Sequence, residues 1–148
     1  MMARNESKEV VIEATPEEII DAIADPASLT ELSGAIQSVE ILDRTDDGRP
    51  RTLKIKVKVA GLTDEMVVEY TWADDVVSWV MVSGKLQRSH DGRYTLTPEG
   101  DKTRVRFDIK IDPLVPLPGF VVSRVARGVV DAATDGLRKR VLSVKKGR

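Results

Sequence analysis

The sequence predicts an α+β domain in which an antiparallel sheet of about seven strands is covered on one face by a single long C-terminal helix. Three observations lead there. Between Ala35 and Ile111 apolar and polar residues alternate with a period of two in runs of strand length, so each run has one apolar face. Turn-forming pairs and glycines separate the runs, joining consecutive strands tightly enough for antiparallel pairing. From Leu117 to Lys146 the apolar spacing changes to three and four, the period of a helix roughly 40 Å long.

Glu9 to Ala14 (EVVIEA) is a short β-rich run, and Thr15-Pro16-Glu17-Glu18 after it starts a helix. Thr15 caps, Pro16 suits the first helical position, and Glu18 completes a capping box. Ile19, Ile20 and Ile23 give this helix an apolar side, and Asp25-Pro26 ends it and opens a second short helix through Leu29 and Leu32. Six strands follow. Ile36 to Arg44 leads through the hairpin signal Asp46-Asp47-Gly48 into Arg51 to Ala60, where Leu53, Ile55, Val57 and Val59 alternate with Lys54, Lys56 and Lys58. Gly61 turns the chain into Glu65 to Trp72, whose Met66, Val68, Tyr70 and Trp72 share a face opposite Glu65 and Glu69. Lysines on one outer strand then meet glutamates on the next.

Asp74-Asp75 precedes Val76 to Val82, and Ser83-Gly84 precedes Leu86 to Thr97. A hairpin at Asp91-Gly92 within that last run leaves very short strands, so one long strand with a bulge there is preferred. Pro98-Glu99-Gly100-Asp101 is a clear turn before Thr103 to Ile111, where Val105, Phe107, Ile109 and Ile111 alternate with charged residues. The Pro-rich DPLVPLPGF leads into the final helix, giving the order β-α-α-β6-α. On that helix Val121, Val122, Val125, Val129, Ala133, Leu137 and Val144 fall on the side that faces the sheet. Arg124, Arg127, Asp131, Asp135 and Arg138 fall on the other, with Arg127/Asp131 and Asp135/Lys139 at i,i+4 spacing where opposite charges attract.

The 148 residues suit a single domain spanning residues 1–148. Lys and Arg total 23 against 24 Asp and Glu, a formal net charge of -1 that gives no electrostatic case for nucleic acid or an anionic membrane. With no cysteine and His90 as the only histidine, thiolate chemistry and multi-histidine metal sites are excluded, and no cofactor is expected. The first residues lack the apolar run of a signal peptide and no stretch is long and apolar enough to span a bilayer. A cytoplasmic protein, monomeric or weakly dimeric, is expected.

The helix-initiating ATPEEIIDAIADP, the GRYTLTPEGDKTRVRF segment and the DPLVPLPGF entry to the terminal helix resemble the polyketide cyclase/dehydrase-like, START-related superfamily over nearly the whole chain. The resemblance implies a helix-grip fold, in which a curved antiparallel sheet wraps the C-terminal helix and leaves a deep apolar cavity between them. Relatives include lipid and sterol carriers, coenzyme Q-binding proteins, plant allergens of the birch-pollen type, aromatic polyketide cyclases and hormone receptors. Many members carry a Trp after the first helix, where this chain has Ser28-Leu29-Thr30-Glu31-Leu32. These motifs are turns and apolar positions, so they identify a fold more firmly than a function.

Alternation places Leu53, Ile55, Val57, Met66, Val68, Tyr70, Trp72, Phe107 and Ile109 under the helix, joined by Trp79 and Met81. They either fill a core or line the cavity that the resemblance implies, and Met66, Met81, Trp72 and Trp79 suit an adaptable apolar site. From the helix Val125, Gly128, Val129, Ala132 and Gly136 face the same space; the small residues serve either close packing or room for a ligand. Arg140 falls on the apolar side near the helix end, where it either snorkels past the sheet edge or anchors a polar ligand head. His90 and Tyr94 share one strand with Arg88; His90 is either a rim residue or, with Tyr94, an acid/base pair at a cavity mouth.

Three functions follow as expectations. The first is a carrier or sensor that binds a small hydrophobic ligand (lipid, quinone, polyketide or aromatic metabolite) between sheet and helix. The second is a polyketide cyclase or dehydratase using His90 and Tyr94. The third is a protein-interaction module using the outer sheet face or the Pro-rich lead-in.

Overall fold

A computed structural model describes residues 4–32, 34–59, 61–114 and 117–147. Strand β1 (Arg4–Ile12) is followed by helices α1 (Pro16–Ala24) and α2 (Pro26–Leu32). Six strands come next: β2 (Ile36–Arg44), β3 (Pro50–Val59), β4 (Leu62–Trp72), β5 (Val76–Ser83), β6 (Gln87–Glu99) and β7 (Lys102–Pro113). Their order in the sheet is β1-β7-β6-β5-β4-β3-β2, antiparallel throughout, so β2 to β7 form a meander and β1 pairs with the last strand. The α+β class and the curved sheet around a C-terminal helix are those of the helix-grip fold.

Local chemistry explains the elements. Glu18 N–H donates to Thr15 Oγ1 at 3.2 Å while Thr15 N–H donates to Glu18 Oε1 at 3.0 Å, the reciprocal capping box that starts α1. Gly48, Gly61 and Gly100 hold φ of +86°, +82° and +68° in the β2–β3, β3–β4 and β6–β7 turns, values that side chains resist. Thr103, fully buried, donates its Oγ1 hydrogen to Ala14 C=O at 2.7 Å and ties β7 to the chain leaving β1. Lys54 of β3 reaches Glu65 of β4 at 3.8 Å across the outer face.

The terminal helix differs from the expected single α-helix. It begins at Gly119, with Pro118 at the N-cap, and runs as α3 (Gly119–Asp131), a π-helical turn (Ala132–Gly136) and α4 (Leu137–Lys146). Val115 and Pro116 of the lead-in, Ala60, and the side chains of Leu32 and Val59 lie outside the described residues. The π turn takes up one extra residue within the helix. The most buried side chains are Val122, Ala126 and Val130, then Ala133, Leu137 and Val141. Val121, Val125, Val129 and Val144, expected on the packed side, are only half-buried.

The helix lies against β1 and β7, at one end of the sheet. Lys8 of β1 donates from Nζ to Asp131 at 2.9 Å and to Asp135 at 2.8 Å, so these aspartates pair across to the sheet rather than with Arg127 and Lys139 along the helix. Arg138 forks onto the Glu13 carboxylate at 2.7 and 2.9 Å. These contacts pin the helix over β1 and leave the β3–β5 wall uncovered.

Candidate functional site

The site is built from the uncovered half of the sheet. Strand β6 is a single long strand, as its flanking turns require; against β7 its register shift lies between Gln87 and Ser89, and against β5 its pairing ends at Gly92, where Asp91 Oδ1 accepts the Met81 N–H at 2.9 Å. From His90 onward it pairs regularly with β7, His90 opposite Ile111, Gly92 opposite Ile109 and Tyr94 opposite Phe107. His90, Gly92 and Tyr94 therefore share the inward face, while the shift upstream turns Gln87 inward and leaves Arg88 exposed. Gly92 has a packing reason of its own. A Cβ there would overlap the six-membered ring of Trp79, which lies across it from β5.

Trp79 is the centre of an aromatic wall. It stacks on Tyr70 with ring centroids 5.2 Å apart and meets Phe107 at 5.6 Å and Tyr94 at 5.9 Å. Tyr70 stacks in turn on Trp72 at 5.3 Å, and Tyr94 meets Phe107 at 4.8 Å. Every aromatic side chain of the protein except Phe120, which is exposed on α3, belongs to this wall.

Between the wall and the helix lies a cavity of about 250 Å³. Of the residues expected at a site, Ile55, Val57, Met66, Val68, Tyr70, Trp79, Tyr94 and Phe107 line it from the sheet. Val125, Gly128, Val129 and Ala132 line it from the helix, and His90 joins them. Val125 and Val129, which the apolar spacing placed on the sheet side of the helix, are half-buried and line this space. A Cβ added at Gly128 meets nothing within 4 Å. Close packing therefore does not account for a glycine that costs about 1 kcal/mol relative to alanine inside a helix.

Several expected residues lie elsewhere. Leu53 and Ile109 are packed in the core, and Met81 and Gly136 are outside the lining. Trp72 turns its indole N–H to Pro50 C=O at 2.7 Å, with the Arg49 guanidinium over its ring. Arg140 is not a ligand anchor in this geometry. Its guanidinium donates to Ser28 Oγ at 3.0 Å and Glu31 Oε2 at 2.8 Å and lies 3.7 Å from Asp25, clamping α2 against α4. Sequence reasoning missed Leu29, Ala35, Ile36, Lys58, Gln87 and Ala133 in the lining. Ala133 and Leu29 sit on apolar stripes that were legible, whereas Ala35 precedes β2 and Ile36 opens it, where the alternation has only begun and assigns no face.

The polar groups of the cavity are few. Gln87 donates from Nε2 to Met66 Sδ at 3.3 Å. The Nδ1 of His90 is buried with no hydrogen-bond partner among the described residues, a state that costs about 1–3 kcal/mol when nothing binds. Burial lowers the His90 pKa to about 4 against weaker opposing pulls from Asp91 and Asp64, so the imidazole is neutral near pH 7. Burial likewise raises the pKa of Tyr70 and of Tyr94, keeping both as neutral phenols. Among the described residues neither hydroxyl has a hydrogen-bond partner, and no group of His, Asp or Glu is arranged to hold a metal ion. Four residues apart on one face of a strand, His90 and Tyr94 have backbones about 13 Å apart, so they reach different ends of a bound molecule.

A family model described as polyketide cyclase / dehydrase and lipid transport matches residues 5–142. No curated protein matches the chain. Solved structures with the same fold include a START superfamily protein from Mycobacterium smegmatis, 23% identical, TM-score 0.82, covering 95% of this chain and 98% of that one. An aromatase/cyclase from Streptomyces sp. R1128 is 14% identical with TM-score 0.72, covering 95% of this chain and 96% of its own. A Thalictrum flavum norcoclaurine synthase mutant, in complex with a transition-state analogue, is 18% identical with TM-score 0.66 and 97% coverage of each chain.

Proposed function

Since the chain belongs to the polyketide cyclase/dehydrase and lipid transport family, a START-like ligand-binding domain, we propose that it is a carrier or sensor for a small, ring-bearing apolar molecule held between the aromatic wall and α3. The observation that carries this reading is the cavity itself, apolar apart from Lys58 at its exposed rim and, inside, one imidazole, one amide and two phenols with almost no partners among the described residues. A cavity of about 150 Å³ accepts benzene, and ligand sites more often measure roughly 300–1,000 Å³. A volume of about 250 Å³ therefore favours one or two rings over a long acyl chain. Rings also match the wall, because offset stacking adds about 0.5–1.5 kcal/mol per pair beyond area burial.

Calorimetric titration with 2-naphthol, 1,4-naphthoquinone and decanoate tests the proposal. Micromolar binding of the bicyclic compounds, weaker binding of decanoate and a loss of affinity in His90→Gln support it. Absence of binding by all three at millimolar concentration refutes it.

A second reading, a cyclase or dehydratase, is favoured by a His90 that faces the cavity unprotonated near pH 7 and so is free to accept a proton, although burial makes it a weaker base than an exposed imidazole. His90 would remove a proton beside a carbonyl and Tyr94 would hydrogen-bond to an oxygen at the far end. Turnover of a poly-β-ketone thioester faster than its spontaneous cyclisation, abolished in His90→Gln, is the outcome that this reading requires.

A further inference from the structure

Most residues lining the cavity are buried; the exposed ones are Ala35, Lys58 and Gly128. They mark where the cavity meets solvent. Ala35 and Lys58 are held together by the Lys58 N–H donating to Ala35 C=O at 2.8 Å, so the α2–β2 connection and the end of β3 form one rim. Gly128, on α3, forms another, flanked on its own helix by the half-buried Val125, Val129 and Ala132.

Resting on the ligand-binding reading above, the geometry points to Gly128 as the entrance residue that sets the width of ligand admitted to the cavity. Three observations converge. The position lines the cavity, it is exposed, and a side chain there would enter open space instead of a packed neighbour. Inside, the buried Tyr94 and Tyr70 line the cavity with hydroxyls that have no partner among the described residues, so the opening leads to groups that a ligand can satisfy. A glycine inside a helix is unfavourable, and here it secures no close approach of backbones. What it does secure is an unobstructed opening.

An entrance residue has a distinctive signature. Enlarging it slows association and dissociation together, and more for a wide ligand than for a narrow one. The experiment compares wild type, Gly128→Ala, Gly128→Leu and, as an exposed control on the same helix, Arg127→Leu, by stopped-flow and calorimetric titration with phenol and 2-naphthol. Gly128→Leu is expected to slow 2-naphthol association at least tenfold and phenol association less than threefold. Gly128→Ala is expected to fold with a higher melting temperature and to slow 2-naphthol two- to threefold, while Arg127→Leu leaves both rates as in wild type. Equal rates in wild type and both Gly128 variants overturn the assignment and leave the ligand-binding reading standing. If the wild type binds neither probe, both fall.

Discussion

Gly92→Ala is the most informative single change, because one methyl group is set against the aromatic wall. The added Cβ would coincide with the Trp79 ring, which has Tyr70, Tyr94 and Phe107 around it. Trp79 must leave its stack or the strands must part. Overpacking of this kind costs about 1–3 kcal/mol, and partly disturbing two aromatic pairs, each worth about 0.5–1.5 kcal/mol, adds about 1 kcal/mol. Against this, replacing glycine lowers the entropy of the unfolded chain and returns about 0.4–1 kcal/mol. The net expectation is a loss of about 2–3 kcal/mol. With a urea slope of about 2 kcal/mol/M, the unfolding midpoint falls by roughly 1–1.5 M at unchanged slope. The pair Trp79→Leu and Gly92→Ala isolates the cause: with the indole gone, the same alanine should cost less than 1 kcal/mol. A Gly92→Ala protein as stable as wild type, or an equal cost in both backgrounds, refutes the packing explanation for this glycine.

Other perturbations test separate parts of the structure. His90 has its pKa depressed in the fold, so its contribution is fully present above its unfolded value near 6.5 and is lost as pH falls toward about 4. Between pH 7 and pH 5 the wild type should lose about 2 kcal/mol more stability than His90→Gln, measured by urea unfolding at both pH values. Asp64, buried beneath the β5–β6 turn, accepts the N–H groups of Lys85 at 2.9 Å and Leu86 at 3.2 Å. Asp64→Ala strands two donors and should cost about 2–4 kcal/mol by thermal unfolding, with Asp64→Asn intermediate because its amide oxygen replaces only part of the carboxylate. Thr15→Ala removes one half of the α1 capping box and should cost about 1 kcal/mol in the same assay. Tyr94→Phe should leave stability within about 0.5 kcal/mol, since the hydroxyl bonds nothing among the described residues, yet weaken calorimetric binding of hydroxylated or carbonyl ligands.

The fold was legible because its determinants are local. Each strand carries its own parity, and Thr15-Pro16-Glu17-Glu18, Asp46-Asp47-Gly48 and Gly100-Asp101 state where elements begin and turn. The site was legible only where parity sufficed. Met66, Val68, Tyr70 and Phe107 follow from alternation alone, and Trp79 follows once β5 is a strand, whereas the bulge expected at Asp91-Gly92 left the face of Tyr94 open. That pair shows where locality ends. Asp91-Gly92 has the composition of a turn, but Gly92 answers to a tryptophan on the neighbouring strand. Arg140 is the same lesson on a helix: its phase is apolar, while its partners Ser28 and Glu31 come from α2. The π turn at Ala132–Gly136 was invisible because nothing in a count by threes and fours marks it.

The aromatic wall has a practical consequence. Trp72 and Trp79 are the only tryptophans, and both stack on Tyr70. The intrinsic emission of the protein and the near-ultraviolet dichroism of its indoles thus come from a single region, one side of which borders the cavity. A ring sliding in against Trp79 should change both signals without any label, whereas events on the outer face or at the α4 end should leave them nearly silent. The chain carries its own optical gauge of whether the space beneath the helix is occupied.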